Sequence, residues 1–357
     1  MALFFKRKKR RALSIDVGTA SVKVLVSEGA SPGEIEVLDY RLLQVGTAGK
    51  PLNAPELVSV LREMLSSLHV HISDTRATFS NRQVVVRVVE MPRTQRNEYK
   101  KAAEFQLNRY IPMNAEEAVF DCVPLPDAPC RDGWSKCVLA ASRRTVVDQF
   151  TDSLRQAGLT PLLLDVEPVC VMNAFIATAD EFDRDKGIAR VESGGVGLVH
   201  IGATHTDLCV LQGRIPIACR VIECGAGDVV QELTVSKRVD YQAAQQLLRE
   251  PGEEDAARNK AVEKVLARLA NEIKTSLEYC AREFELKSER LYLTGGLADC
   301  PEAAGLVGSL TALPTFRFDP FVNARLGPLD TRVGDLRAMA ASFVPVMGLA
   351  VRELTMP

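Results

Sequence analysis

The sequence lacks most of what would mark a secreted, membrane-spanning or metal-built protein. No run of about 18 uncharged apolar residues occurs in its 357 residues, so no segment is expected to cross a bilayer as a helix. The front of the chain is not expected to be a secretory leader, because the stretch after its basic run, "ALSIDVG", is short and already carries an aspartate. The nine cysteines form no CxxC pair and are odd in number, which argues against a disulfide framework or a structural zinc site and suits a reducing, cytoplasmic compartment. Histidine is scarce: of the four, His69 and His71 have no Cys, Asp or Glu ligand set beside them, and no metal site is expected there. The net charge of −2 gives no global pull toward nucleic acid.

Charge of one sign concentrates in a single place. Lys6 to Arg11 are all basic and follow Leu3, Phe4 and Phe5. This reads either as a solvated tail or as an electrostatic contact with anionic lipid or an acidic partner, at roughly 1 kcal/mol per basic residue near a membrane surface. The chain is 46% hydrophobic, enough for a substantial core and for two domains or one domain with insertions.

An internal repeat organises the rest. "SIDVGTASV" (14–22) and "LVHIGATHT" (198–206) align without a gap, Asp16 meeting His200 and Gly18 meeting Gly202. Each alternates as a strand, breaks at a glycine turn and resumes, which predicts a β-hairpin. A third strand and a helix follow in both copies: "NAPELVSVLREMLSSL" with its Asn cap in the first, and "GAGDVVQEL" in the second. Between the copies, strand 83–92, an amphipathic helix 96–112, two strands, a helix 145–159 stopped by Gly158, and the strand "TPLLLDVEP" give a β-α-β-β-α-β order. The end, "MAASFVPVMGLAVREL", reads as an apolar helix interrupted by Pro345 and Gly348.

Small-residue turns let a phosphate approach backbone N–H groups. Thr19 and Ser21 add hydroxyls, Lys23 adds a cation, and Asp16 at the strand end is a candidate for holding water around magnesium. Two such hairpins facing each other would grip a polyphosphate from both sides, with "LTGG" (Thr294 to Gly296) as a bare turn against which adenine can lie.

Taken together, "SIDVGTASVK", "LDVEP", "VHIGATHTD", "YLTGG" and "PVMGLA" resemble the phosphate, connecting and adenosine segments of the actin-like fold: an α/β protein of two duplicated, ribonuclease-H-like lobes. The inserted subdomain resembles that of FtsA and its relative PilM. "LDVEPVCVMNAF" and "RFDPFVNA" are similar to PilM-family segments, and the resemblance spans about residues 10–352. It implies a cytoplasmic ATP-binding platform of type IV pilus assembly, peripheral to the inner membrane, that binds the cytoplasmic tail of a PilN-like bitopic protein and meets other inner-membrane assembly proteins. Implied cofactors are ATP and Mg2+. Implied contacts are Asp16, Gly18, Thr19, Ser21 and Lys23 in the first loop; Gly202, Ala203, Thr204 and Thr206 in the second; and Thr294, Gly295 and Gly296 at the base. Glu272 and Lys274 are adenosine or ribose contacts on this pattern, or else a solvated helix face. Asp165 and Glu167 lie where the linking strand passes the cleft, functional or merely structural.

His200 departs from the family, which usually has aspartate there. Imidazole is a poor ligand for a hard cation, so nucleotide affinity is expected to survive with at most slow ATPase activity, and His200 to reach phosphate by hydrogen bond or charge. The expected division is a basic tail (1–11), a first lobe (12–81, 161–192 and 335–357), the inserted subdomain (82–160) and a second lobe (193–334) with a helical part at about 231–287. An L-type type II secretion component, which would continue into a membrane helix, and an actin-fold kinase or a cell-division filament protein are the alternatives. A kinase would need a catalytic carboxylate and a substrate pocket, and a filament protein a terminal amphipathic helix.

Overall fold

Three antiparallel strands, a helix and a fourth strand returning parallel to the first occur twice in the computed structural model, which describes residues 10–29, 31–45, 50–68, 74–189, 194–249 and 255–355. The basic residues 6–9 and the pair His69 and His71 lie outside them. In the first copy, β1 (Arg10–Val17), β2 (Ser21–Gly29) and β3 (Glu36–Gln44) form a meander, and α1 (Ala54–Ser66) leads to β4 (Asp74–Phe79), parallel to β1. Asn53 caps α1 in a reciprocal pair with Glu56, each side chain bonding the other's backbone N–H.

The chain then leaves the first sheet. β5 (Val85–Pro92), the short helices α2 (Tyr99–Glu104) and α3 (Leu107–Tyr110), β6 (Ala118–Pro124) and β7 (Trp134–Arg143) make a three-stranded antiparallel sheet ordered β5-β7-β6. Its core is its own, built from residues such as Met91, Tyr99, Leu107, Cys137 and Leu139. The single helix expected over 96–112 is broken at Phe105, which is 90% exposed, and the break turns Leu107 and Ile111 inward.

The insertion ends earlier than its sequence order implies. α4 (Arg144–Gln156) lays Phe150 against Phe79, ring centroids 5.0 Å apart, and so belongs to the first lobe's core. β8 (Pro161–Val166) pairs with β4 and completes the sheet β3-β2-β1-β4-β8, rather than closing the inserted unit.

α5 (Glu167–Lys186), a 20-residue helix, begins at Glu167 with Pro168 in its first turn, where a missing N–H costs nothing, and stops at Gly187 in the left-handed conformation. It joins the lobes. Phe175 and Phe182 pack on Tyr292 and Phe318 of the second lobe, with centroids 4.9–6.0 Å apart. Tyr292 donates to Asp183 at 2.7 Å.

In the second copy β9 (Gly195–Ile201), β10 (Thr206–Gln212) and β11 (Ile215–Ile222) repeat the meander. α6 (Ala226–Lys237), α7 (Tyr241–Arg249) and α8 (Ala256–Glu283) follow, sharing one core with that sheet, in which Leu233, Val262 and Leu269 sit with Leu208 and Val210. β12 (Ser288–Thr294) runs parallel to β9, and after α9 (Ala303–Thr311) comes β13 (Thr315–Arg317). The order β11-β10-β9-β12-β13 matches the first sheet strand for strand. α10 (Val333–Ala338) and α11 (Val344–Thr355) bring the chain back to the first lobe. Neither Pro345 nor Gly348 interrupts α11. Pro345 is its second residue, and a Cβ at Gly348 would lie 1.8 Å from the Cys170 carbonyl oxygen, so this glycine sets the close packing of α11 on α5.

Candidate functional site

The two hairpin turns open onto one cleft of about 910 Å³ between the lobes. They match bond for bond. Gly18 N–H donates to the Ser21 carbonyl at 3.0 Å, and Gly202 N–H donates to the His205 carbonyl at 3.0 Å. A Cβ would stand 3.0 Å from the oxygen across the turn at Gly18 and 2.9 Å at Gly202, so side chains are excluded and the cleft wall is backbone. Gly295 is stricter: its φ is +89° and a Cβ would lie 2.3 Å from the Ile201 carbonyl oxygen. The β12 turn thus meets the end of β9 main chain to main chain.

Beneath these turns lies a layer of buried charge. Asp16 and Lys23 face each other across β1–β2 and pair at 2.7 Å. Burial raises the Asp16 carboxyl although Lys23 opposes it. Across β9–β10 the same positions hold His200 and Asp207. His200 Nδ1 is 2.8 Å from the Thr294 hydroxyl, and its Nε2 is 3.3 Å from Glu167 Oε1, the first residue of α5. This contact joins the lobes at the cleft floor. Burial alone would raise the Glu167 carboxyl, but the charge and hydrogen bond of His200, with His205 and Lys23, hold it well below the usual carboxylate range. Burial would lower His200, and Glu167 overrides it and raises the imidazole. Burial, then the Glu167 charge, pushes Asp207 up to about 7. His205, lowered chiefly by burial, lies beside Thr204, Oγ1 to Nδ1 at 3.1 Å.

Several expected contacts are here and several are not. Gly18, Thr19, Ser21, Lys23, Gly202, Ala203, Gly295 and Gly296 line the cleft, and so do Glu167 and His200. Asp16 lies fully buried beneath Lys23, which holds Oδ2 as its counter-ion, while Oδ1 has no hydrogen-bond partner among the described residues. His200 has both ring nitrogens engaged by protein, which contradicts its reading as a phosphate partner. Thr206 is fully buried and donates to the Cys224 carbonyl at 2.7 Å, and the Thr294 hydroxyl faces His200. Glu272 points away from the cleft and pairs with Arg220 of β11 at 3.3 Å, while Lys274 is exposed on the same helix. Asp165 is bonded to Arg352 of α11.

Sequence reading missed Arg258. It is buried in the first turn of α8, lines the cleft and pairs with Glu302, and its Nε has no hydrogen-bond partner among the described residues. The available signal was position: a cation there opposes the helix dipole and calls for another reason.

A second hollow, about 390 Å³, lies between the inserted sheet, the start of α5 and the edge of β11. Phe120, Val138, Val147, Val169 and Met172 give it an apolar lining, and Lys100, Arg214 and the Asp165–Arg352 pair add charge.

The family model for the type IV pilus assembly protein PilM matches residues 14–354. Among solved structures, a chain of a PilM–PilN type IV pilus biogenesis complex is 24% identical with a TM-score of 0.82, covering 97% of this chain and 99% of that one. The ethanolamine utilization protein EutJ of Carboxydothermus hydrogenoformans is 13% identical with a TM-score of 0.55, over 96% of this chain and 89% of that one. MreB 5 of Spiroplasma citri, solved with AMPPNP bound, is 11% identical with a TM-score of 0.51, over 97% and 96%. The fold is the actin-like, two-lobed one.

Proposed function

Since the chain belongs to the type IV pilus assembly protein PilM family, we propose that it is an ATP-binding platform that captures the cytoplasmic tail of a PilN-like bitopic inner-membrane protein. The observation that carries the nucleotide is the pair of glycine turns, matched bond for bond, opening on one cleft. Backbone at Gly18, Gly202 and Ala203, the Thr19 and Ser21 hydroxyls and the Lys23 ammonium would hold the phosphates. The Gly295–Gly296 turn, Leu297 and Arg258 would meet the nucleoside end.

Asp16 is fully buried with Oδ2 on Lys23, so it does not suit direct contact with magnesium, and a cation carried by the phosphates needs no direct protein ligand. Asp16, paired to Lys23, and Glu167, paired to His200, are both buried beneath the turns, which argues against either as the group that orients an attacking water. ATP then serves as a ligand that locks the lobes rather than as a fuel.

The apolar hollow beside the inserted sheet suits an extended tail: about 390 Å³ of mostly hydrophobic lining with charge at its edge. No single helix among the described residues is long and apolar enough to cross a membrane. In this reading the partner tail, aided by the basic N-terminus, holds the protein at the cytoplasmic face of the inner membrane, beside other assembly proteins.

Calorimetry on nucleotide-stripped protein tests the cleft: ATP binds the wild type and fails to bind Gly18→Asp, which puts a bulky charge into the turn. Affinity capture with an immobilised PilN-like tail tests the hollow. A stripped wild type that ignores ATP would overturn the nucleotide half of the reading.

A further inference from the structure

Three buried side chains converge below the cleft floor with no hydrogen bond between them among the described residues. Ligand atoms of Glu167, His205 and Asp207 all lie within 4.8 Å of one another. Glu167 Oε2 and Asp207 Oδ2 have no hydrogen-bond partner among the described residues. Leaving two carboxylate oxygens dry, adjacent and uncompensated is costly, since each loses its water and repels the other.

The spacing points to what would compensate them. His205 Nε2 is 3.7 Å from Asp207 Oδ2, too long for a hydrogen bond. Two ligands on one tetrahedral ion with bonds of about 2.1 Å stand about 3.4 Å apart, so a small side-chain rotation closes the difference. The orientation of each group agrees. His205 and Asp207 are two residues apart and share a face. Nδ1 of His205 lies 3.1 Å from the Thr204 hydroxyl, and the tautomer that donates Nδ1–H there keeps the Nε2 lone pair for the side facing Asp207. His200 occupies Glu167 Oε1 and leaves Oε2 open.

We propose that Glu167, His205 and Asp207 bind one divalent transition-metal ion, of the zinc, cobalt or manganese type, that clips the two lobes together beneath the cleft. One imidazole with two carboxylates suits these ions better than magnesium or calcium, which favour all-oxygen sets. The site is made of protein groups alone and needs no nucleotide. Glu167 begins α5, whereas His205 and Asp207 belong to the β9–β10 hairpin, so the ion would tie the same two elements that the His200–Glu167 contact joins.

The test uses full-length protein freed of nucleotide and of metal by chelation, titrated with Zn2+ by calorimetry and with Co2+ by visible absorption. One equivalent binds, raises the melting temperature, and is not displaced by millimolar Mg2+. Asp207→Asn and His205→Gln, each checked for retained fold by circular dichroism, weaken binding roughly 100-fold or more. Thr204→Val keeps all three ligands but loses the Nδ1 anchor, and weakens it about 10- to 100-fold. A His69→Ala, His71→Ala variant binds as the wild type does. Absence of a one-to-one complex, affinity unchanged in Asp207→Asn, or binding that vanishes in the His69, His71 variant would each overturn the proposal.

Discussion

Lys23 and Asp207 hold the same place in two copies of one hairpin and carry opposite charge. Lys23 faces Asp16 across β1–β2, as Asp207 faces His200 across β9–β10, and the glycine turns above them close with the same 3.0 Å bond. Acid and base have therefore exchanged strands between the lobes. In the first lobe the pair neutralises itself at 2.7 Å. In the second the base turns toward Glu167 of the opposite lobe, which leaves Asp207 without a cation and pushes its carboxyl up to about 7, through burial and then the Glu167 charge. The identity of residue 200 thus decides how the lobes are joined.

His200→Asp should for this reason destabilise the protein rather than restore a catalytic site. The new carboxylate would stand beside Glu167 and opposite Asp207 with no base among the three. Breaking a buried pair from one side typically costs about 3–5 kcal/mol. Adding Asp207→Lys, which recreates the first hairpin's arrangement, should recover a large part of the loss. Urea unfolding of the wild type and the two variants, in chelator-treated buffer, measures this. A single variant as stable as the wild type would mean that the His200–Glu167 contact contributes nothing.

Two adjacent glycines should differ sharply. Gly295 combines φ of +89° with a carbonyl 2.3 Å from any Cβ, whereas Gly296 would meet only the Ser342 hydroxyl, at 3.8 Å. Gly295→Ala is expected to cost more than about 1 kcal/mol, from backbone strain and the displaced β9 carbonyl, and Gly296→Ala to stay within about 0.5 kcal/mol. Denaturant midpoints compared at equal m-value decide it.

What the sequence disclosed depended on whether the signal was local. The hairpins, the Asn53 cap of α1 and the Gly158 stop after α4 rest on short-range pattern, and each is found where the alternation and the turn residues put it. α5 was missed because "EPVCVMNAFIATADEF" is apolar on more than one face, as suits a helix buried between two lobes, and so shows little amphipathic period. The cleft turns were legible because a glycine stands at the same place in both hairpins, where a Cβ would crowd the carbonyl across the turn. Partner choice was not: nothing in the order of residues says that His200 meets Glu167, that Thr206 turns to Cys224, or that Glu272 reaches Arg220. Those are long-range contacts, fixed by packing.

Val147→Arg should separate the two binding activities. Val147 lines the hollow beside the inserted sheet and is absent from the cleft wall. A guanidinium there would fill the apolar space and meet Arg214 and Lys100 with like charge. Capture of the PilN-like tail is expected to fall at least about tenfold, while the melting shift produced by ATP stays as in the wild type. Loss of the shift together with capture would mean that the substitution has disturbed the fold.

Asp39 predicts an acid limb. Burial alone would raise its carboxyl, but hydrogen bonds from Arg41 and Arg332 outweigh it and bring it below the usual value, 3.8. Its folded pKa is therefore below its unfolded one. The stability it contributes is present above pH about 4 and is lost as the pH falls through the lower folded value. The contact with Arg332, 2.8 Å, ties β3 to the segment before α10. Asp39→Asn should lower stability at pH 7 and flatten the decline below pH 4, which unfolding midpoints at pH 7, 5, 4 and 3 will show. Parallel pH profiles in the two proteins would place the acid sensitivity elsewhere.

ATP is expected to act here as a structural ligand and not as a fuel. A cradle of backbone and hydroxyls needs no titrating group, and the turns at Gly18 and Gly202 keep theirs. Hydrolysis needs an oriented water, and the two carboxylates beneath the turns are buried and each paired through one oxygen, Asp16 with Lys23 and Glu167 with His200. A ligand that binds only the folded protein stabilises it by mass action, about 4 kcal/mol at a thousandfold excess over its dissociation constant. We expect ATP to raise the melting temperature by several degrees, and the non-hydrolysable AMPPNP to raise it equally. Phosphate release under single-turnover conditions should be far slower than about 1 s⁻¹, the low end of ordinary enzymes. Brisk release from the wild type, abolished by Glu167→Gln in a variant that still binds ATP, would show that Glu167 orients water after all and that the protein spends its nucleotide.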